Sequence, residues 1–136
     1  MSRLRYLLDT NICVYIAKQR PPAVAQRLAS LDAGSVAMSV ITFGELRYGA
    51  EKSQQREATL ANLDKLQSLI PVIALNDQVG ARYGEIRAQL ERAGTPIGNN
   101  DLWIAAHALV LDVTLVTNNT REFERLAQLR LANWVG

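Results

Sequence analysis

The hydrophobic residues of this chain follow two rhythms. Short unbroken apolar runs occur at Tyr6-Leu7-Leu8, Ser35–Met38, Val72-Ile73-Ala74-Leu75 and Val113–Val116, each bounded by turn-forming or charged residues. Runs of that length, without alternation, predict strands buried on both sides. Between them the apolar positions recur every three or four residues, as they do along one face of a helix. After a turn at Asp9-Thr10-Asn11 the spacing predicts a helix over Ile12–Ala17. Pro21-Pro22 opens another that runs to about Leu31, where Gly34 breaks it. Thr42–Ser53 reads as a third, with Phe43, Leu46 and Ala50 on one face. Leu60, Leu63 and Leu66 carry a fourth between about Arg56 and Leu69. Asp77 is the expected cap of a long helix ending near Ala93, with Val79, Tyr83, Ile86 and Leu90 turned inward. The glycine-bounded segment from Gly94 to Asn100 is a loop, followed by helix Asp101–Leu111. Asn118-Asn119 forms a turn, Thr120–Leu126 a short helix, and Leu129–Trp134 supplies an edge strand.

Strands that alternate with helices, and are apolar throughout, point to an α/β fold. The expected architecture is a central parallel sheet of about four to five short strands, flanked by helices on both faces. The length, 136 residues, suits a single domain over 1–136, and no internal repeat or linker interrupts it. A content of 49% hydrophobic and 21% charged residues is that of a folded protein rather than a disordered one.

Net charge is only +2, far from the excess of a nucleic-acid coat protein, although local patches decide such binding more than the total does. Cys13 is alone, so neither an internal disulfide nor a cysteine zinc site is available. Most histidine-rich metal sites are excluded as well, because His107 is the only histidine. The start of the chain lacks a signal-peptide pattern, and no apolar run approaches membrane-spanning length. A cytoplasmic protein without membrane contact is expected.

The acids carry the candidate chemistry. In open α/β sheets, sites form beyond the carboxyl ends of the strands. Asp9 ends the first strand; Asn119 and Glu122 follow the strand Val113–Val116; Glu45 lies early in the helix after the second strand; Asp101 opens the helix after the loop. Four carboxylates from distant segments are thus expected on one edge of the sheet. Carboxylates gathered together repel one another and are costly to desolvate, and a divalent cation resolves that cost. Hard oxygen ligands without histidine or cysteine favour Mg²⁺ or Mn²⁺. Such ions activate water and stabilise the charge that develops in phosphodiester cleavage.

Each acid also has a purely structural explanation. Asp9 can begin a turn. Thr42-Phe43-Gly44-Glu45 fits a capping box. Asn100 or Asp101 can cap a helix, and Asn119-Thr120-Arg121-Glu122 can do the same with a glutamate three residues on. His107, in an alanine-rich helix, reads as a packed histidine and Cys13 as a small apolar filler. Trp103 and Trp134 are expected in the core or at an interface. Arg47, Lys52 and Arg56, like Arg121 and Arg125, fit either a phosphate track or a solvated face. A phosphoacceptor receiver domain is disfavoured, since no acidic pair accompanies the first strand. So is an aspartyl phosphatase, which needs a second aspartate one residue beyond Asp9's neighbour, where Asn11 stands. The alternative from another class is a non-catalytic RNA- or partner-binding α/β module. Uncovered acids speak against it, because they hinder RNA binding.

Four segments, in order, resemble the motifs of PIN domains. They are Leu7-Leu8-Asp9-Thr10-Asn11; Ser39–Leu46 with Tyr48-Gly49-Ala50; Pro96–Ala108; and Leu115–Phe123. Together they cover nearly the whole chain, and the resemblance is greatest to the VapC toxins of bacterial toxin–antitoxin pairs, particularly the enterobacterial type. That resemblance implies a PIN-domain-like fold and an Mg²⁺-dependent endoribonuclease, with Mn²⁺ as a possible substitute. It implies a homodimer, inhibited by a small antitoxin of VapB type in a hetero-oligomer. It also implies cleavage of initiator tRNA in the anticodon loop, which would inhibit translation. Carried over by position, Asp9 and Asp101 would be the principal metal ligands and Glu45 would complete an acidic triad. Glu122 stands where many relatives have aspartate; it would be a further catalytic acid, or act through water. Asn11, Thr117 and Asn119 would be polar neighbours that orient ligands or water.

Overall fold

Every apolar run identified in the sequence becomes a strand, and all the strands are parallel. A computed structural model describes residues 3–135. Its elements in chain order are β1 (Tyr6–Leu8), α1 (Thr10–Lys18), α2 (Pro22–Ala29), β2 (Val36–Ser39), α3 (Val40–Glu51) and α4 (Arg56–Leu69). They continue with β3 (Val72–Ile73), α5 (Asp77–Arg92), α6 (Asn99–Leu111), β4 (Thr114–Val116), α7 (Thr120–Phe123) and β5 (Leu131–Ala132). The sheet order is β3-β2-β1-β4-β5. Leu7 on the central strand is in register with Ala37 on β2 and Leu115 on β4.

Successive residues of a strand point to opposite faces, and here both faces are covered. Leu7, Ala37 and Leu115 enter one core with Val79, Ile86 and Leu90 of α5 and Ile104 and Ala108 of α6. Tyr6, Leu8, Met38 and Val116 enter the other, with Ile12 and Ile16 of α1, Val24 of α2, and Leu63 and Leu66 of α4. A strand buried on both sides has no polar face to display, which is why the strand sequences do not alternate.

Several element boundaries differ from those the sequence predicts, and the caps explain most of them. Helix α1 starts at Thr10, not Ile12, because Asp9 is its N-cap; Thr10 and Asn11 are helical rather than part of a turn. Helix α3 starts at Val40, capped by the Ser39 hydroxyl, which accepts the Ile41 N–H at 3.1 Å. Thr42, the expected start, is buried inside the helix. Asn76 rather than Asp77 caps α5, by accepting the Val79 N–H at 3.1 Å. Helix α6 begins at Asn99, two residues before Asp101. Helices α2 and α7 stop at Ala29 and Phe123, short of Leu31 and Leu126, and β3 spans only Val72–Ile73.

His107 is packed, as expected: it is 1% exposed, and its Nδ1 lies 2.8 Å from Ser39 Oγ. Burial lowers its pKa, which keeps the ring neutral. The contact ties α6 to the end of β2, where α3 begins. Cys13 is fully buried, and burial pushes its thiol far above the usual range. Trp134 meets Tyr6 edge-on with ring centroids 5.5 Å apart, and Trp103 stacks on Tyr83 at 3.8 Å. Among the described residues no helix is long and apolar enough to cross a membrane.

Leu7 is 0% exposed at the centre of the sheet. Leu7→Ala should lower unfolding free energy by about 2–5 kcal/mol, the range for a buried leucine that leaves a cavity. Urea denaturation measures it, and an unchanged midpoint would contradict the packing of β1.

Candidate active site at the carboxyl ends of β1 and β4

The chain builds the sheet outward from β1 through β2 to β3, then returns to the other side of β1 with β4 and β5. Strand order therefore reverses between β1 and β4. Connections leave these neighbours in opposite directions, and a crevice opens beyond their carboxyl ends. Asp9 lies there directly after β1 and Thr117 directly after β4. The Asp9 N–H donates to the Val116 carbonyl at 3.0 Å, which fixes the two strand ends to each other.

Asp9 is only 5% exposed. One carboxylate oxygen, Oδ1, accepts the Ile12 N–H at 2.9 Å, so the structural explanation holds for this acid: it caps α1. Burial pushes its pKa up, and the nearby Glu45 adds to that. The Thr117 hydroxyl and the backbone amides of Ile12 and Asn11 act in the opposite direction. Thr117 is completely buried, whereas Asn11 is exposed.

Glu45 lies in the second turn of α3. With Ser39 as the cap, Glu45 is six residues further on, too far to close a capping box. Its partner is Thr10, whose hydroxyl donates to Glu45 Oε1 at 2.5 Å and lies 3.3 Å from the Thr42 hydroxyl. Thr10 thus links the start of α1 to the acid on α3. Sequence reasoning gave Thr10 no part in the site. The signal was its place beside Asp9, which turns it towards the same crevice once both belong to the start of one helix.

Asp101 is the third residue of α6, and the cap is Gly98, so Asp101 does not cap the helix either. Glu122 reaches across from α7. Its Oε1 accepts the Gly98 N–H at 2.9 Å and its Oε2 accepts Asn119 Nδ2 at 2.6 Å. Asn119 in turn donates its N–H to the Thr117 hydroxyl at 2.9 Å. A Cβ on Gly98 would sit 3.7 Å from both Asp101 Oδ2 and Glu122 Oε1, so the two carboxylates flank the same stretch of loop backbone. Arg125 secures that loop by donating to the Pro96 carbonyl at 2.6 Å.

The four acids meet electrostatically at Asp101, whose pKa is pushed up to about 7. Burial contributes most, followed by Glu122, Asp9 and Glu45. No three His, Cys, Asp or Glu side chains among the described residues are already arranged as a metal cage. Asp9 and Glu45 each have one oxygen engaged by a protein donor. The donor set nevertheless consists of carboxylates whose charges oppose one another, and it fits a hard divalent cation.

The PIN-domain signature matches residues 6–129. The chain belongs to the PIN-domain family. Its similarity to the VapC group covers almost the whole of both partners. It is 43% identical over 132 residues to Ribonuclease VapC2 of Haemophilus influenzae, covering 97% of this chain and 99% of that one. To the tRNA(fMet)-specific endonuclease VapC of Shigella flexneri it is 44% identical over 131 residues, covering 96% and 98%. Among solved structures, DNA-bound VapBC from Salmonella typhimurium matches this PIN domain with a TM-score of 0.91 at 40% identity, covering 96% of this chain and 98% of that one. VapBC-1 from nontypeable Haemophilus influenzae matches with a TM-score of 0.90 at 40% identity, covering 98% and 100%.

The raised pKa of Asp101 has a consequence for stability. Folded, it keeps its proton up to about pH 7; unfolded, it releases it near the ordinary carboxyl value of 3.8. Between those values the folded state binds more protons, so its stability falls as pH rises. In EDTA, the stability of wild type relative to Asp101→Asn should decline steadily from about pH 4 to about pH 7. Urea unfolding of both proteins across that interval tests it, and a constant difference would show that Asp101 ionises normally.

Proposed function

We propose that this PIN domain, read as a single unit over 1–136, is the toxin of a type II toxin–antitoxin pair. It is a metal-dependent endoribonuclease of the cytoplasm that cuts initiator tRNA in its anticodon loop. The observation that carries the proposal is the placement of four acids at the carboxyl ends of β1 and β4: Asp9 after β1, Glu45 bonded to the adjacent Thr10, and Asp101 and Glu122 on either side of Gly98. Relatives called ribonuclease and tRNA(fMet)-specific endonuclease support RNA, and this tRNA, as substrate.

Asp9 and Asp101, with Glu45, would hold Mg²⁺ or Mn²⁺. A bound divalent cation supplies charge neutralisation in the crevice and stabilises the negative charge that grows on a phosphate during cleavage. Thr10 aims Glu45, and Thr117 steadies Asp9. Glu122 accepts the Gly98 N–H and the Asn119 amide, which favours a positioning role over direct ligation. With the acids uncovered, RNA phosphates would be repelled, so a binding module without a metal remains the poorer reading.

The same proposal includes a homodimer and a VapB-type antitoxin. An apolar groove of about 650 Å³ between α1, α2 and the end of α4, lined by Ile16, Ala25, Leu28, Leu31 and Leu69, supports docking of an amphipathic antitoxin segment. Leu69 is 61% exposed there, far in the chain from the acids. Leu69→Lys should weaken antitoxin binding by about tenfold, as loss of a buried apolar contact would, and leave RNA cleavage unchanged. Calorimetry with the cognate antitoxin measures this, and undiminished affinity would remove the groove from the interface.

Asp9→Asn keeps an oxygen for the Ile12 N–H and should fold normally. Its cleavage should fall by more than about 100-fold, because the metal-holding charge is gone. EDTA should abolish wild-type cleavage and Mg²⁺ restore it. Sequencing RNA ends after brief induction should show one dominant cut in the initiator tRNA anticodon loop. Ends spread over messenger RNA would reject that substrate, and an active Asp9→Asn protein would reject the site itself.

A further inference from the structure

One face of α3 runs away from the acids as an open groove of about 660 Å³. Its lining from this helix and its C-cap is Val40, Ile41, Gly44, Glu45, Tyr48, Gly49 and Lys52, at the three- and four-residue spacing of a single helix face. Glu45 therefore stands at the catalytic end and Lys52 at the far end, about 10 Å along the helix axis. Asn100, one residue before Asp101, lines the groove from α6. Tyr48 is 65% exposed, an unusual position for a large aromatic ring in a folded protein. Lys52 Nζ lies 4.6 Å from the centre of that ring.

Three cations follow Glu45, and the structure separates them. Arg47 and Arg56 both grip Glu51, at 2.6 Å and 2.7 Å, so their charge is answered within the protein. Lys52 makes no ion pair among the described residues and points into the groove that the acids open. A Cβ on Gly44 or Gly49 would meet nothing within 4 Å, so bare helix backbone forms much of the groove floor.

We propose that this groove is the track of unpaired RNA leading to the acids, with Tyr48 stacking a nucleobase and Lys52 holding a backbone phosphate. This rests on the nuclease reading of the adjoining site. Exposed aromatic rings stack bases without regard to sequence, and a cation beside such a ring pairs with the phosphate of the same strand. An acidic peptide would also suit Lys52, but it would leave the exposed Tyr48 ring without a flat partner, whereas unpaired RNA offers a base to the ring and a phosphate to the cation beside it. The groove belongs to substrate binding and not to the chemical step.

Binding can be read apart from cleavage on the otherwise wild-type protein, with Ca²⁺ in place of Mg²⁺ and a short unpaired oligoribonucleotide followed by fluorescence anisotropy, the oligonucleotide being checked for integrity on a gel. Tyr48→Ala should raise Kd about tenfold, and Tyr48→Phe should restore it, because stacking needs only the ring. Lys52→Ala should raise Kd and reduce the slope of log Kd against log salt by about 0.7, the loss of one phosphate contact. Gly49→Ala should raise Kd by filling the floor while Tm holds or rises, since alanine favours the helix. Unchanged Kd in these variants, with wild type still cutting RNA, would overturn the track and leave the nuclease reading standing. Weakened binding in the variants, with a wild type that cuts nothing, would support the track and sink the nuclease reading. Light scattering that shows Tyr48→Ala altering the number of copies in solution would assign this face to a contact between protomers and overturn the proposal.

Discussion

Four carboxylates held within reach of one another repel, and the rest of this structure is organised around holding them together. The repulsion is visible at Asp101, which keeps its proton to about pH 7 because burial and three acidic neighbours all oppose its charge. Left to itself, such a cluster would push its elements apart. The fold resists by placing each acid on a different rigid element and by seating those elements on two apolar cores, one on each face of the sheet.

The hydrogen bonds near the acids show how that tension is distributed. Asp9 is fixed by its N–H to Val116 on β4 and by its carboxylate to the Ile12 amide and the Thr117 hydroxyl. Glu45 is tethered to Thr10, and Glu122 to Gly98 and Asn119. Asp101 differs: the donors that steady the others are absent from the influences on its pKa, which all raise it. Deeper in the fold, the His107–Ser39 contact joins the helix that carries Asp101 to the cap of the helix that carries Glu45. A neutral, buried histidine can make that link without adding charge to the cluster.

Tight clustering and open access have to coexist in such a site. The sheet core behind the crevice is sealed, with Leu8, Val116 and Thr117 fully buried. In front, α3 presents glycines and an exposed tyrosine, surfaces that give a long flexible ligand room and something to stack on. Rigid backing with an open approach suits chemistry on a polymer better than chemistry on a small molecule, which calls for an enclosed pocket.

Much of the fold was legible along the chain, because burial on both faces writes itself as unbroken apolar runs and helix packing as three- and four-residue spacing. Those local rules produced all five strands and the layered α/β arrangement. Residue order also exposed Asp9, Glu45, Asp101 and Glu122, since strand ends and helix starts can be located from the same patterns. The structural role of each acid could not be read that way. Ser39, Asn76 and Gly98 took the caps expected of Thr42, Asp77 and Asn100 or Asp101, because a cap depends on where the backbone turns and not on which residue is chemically able. Only the tertiary structure revealed that Asp9 both caps a helix and faces Glu45, that Thr10 is the link between them, and that Lys52 lies against the Tyr48 ring with no ion pair among the described residues while Arg47 and Arg56 share Glu51. Local periodicity is set by each residue and its near neighbours, so the sequence alone determined the elements and their edges. The partner of the Thr10 hydroxyl lies 35 positions away on Glu45, and that of His107 lies 68 positions away on Ser39; only the closed sheet brings such pairs together.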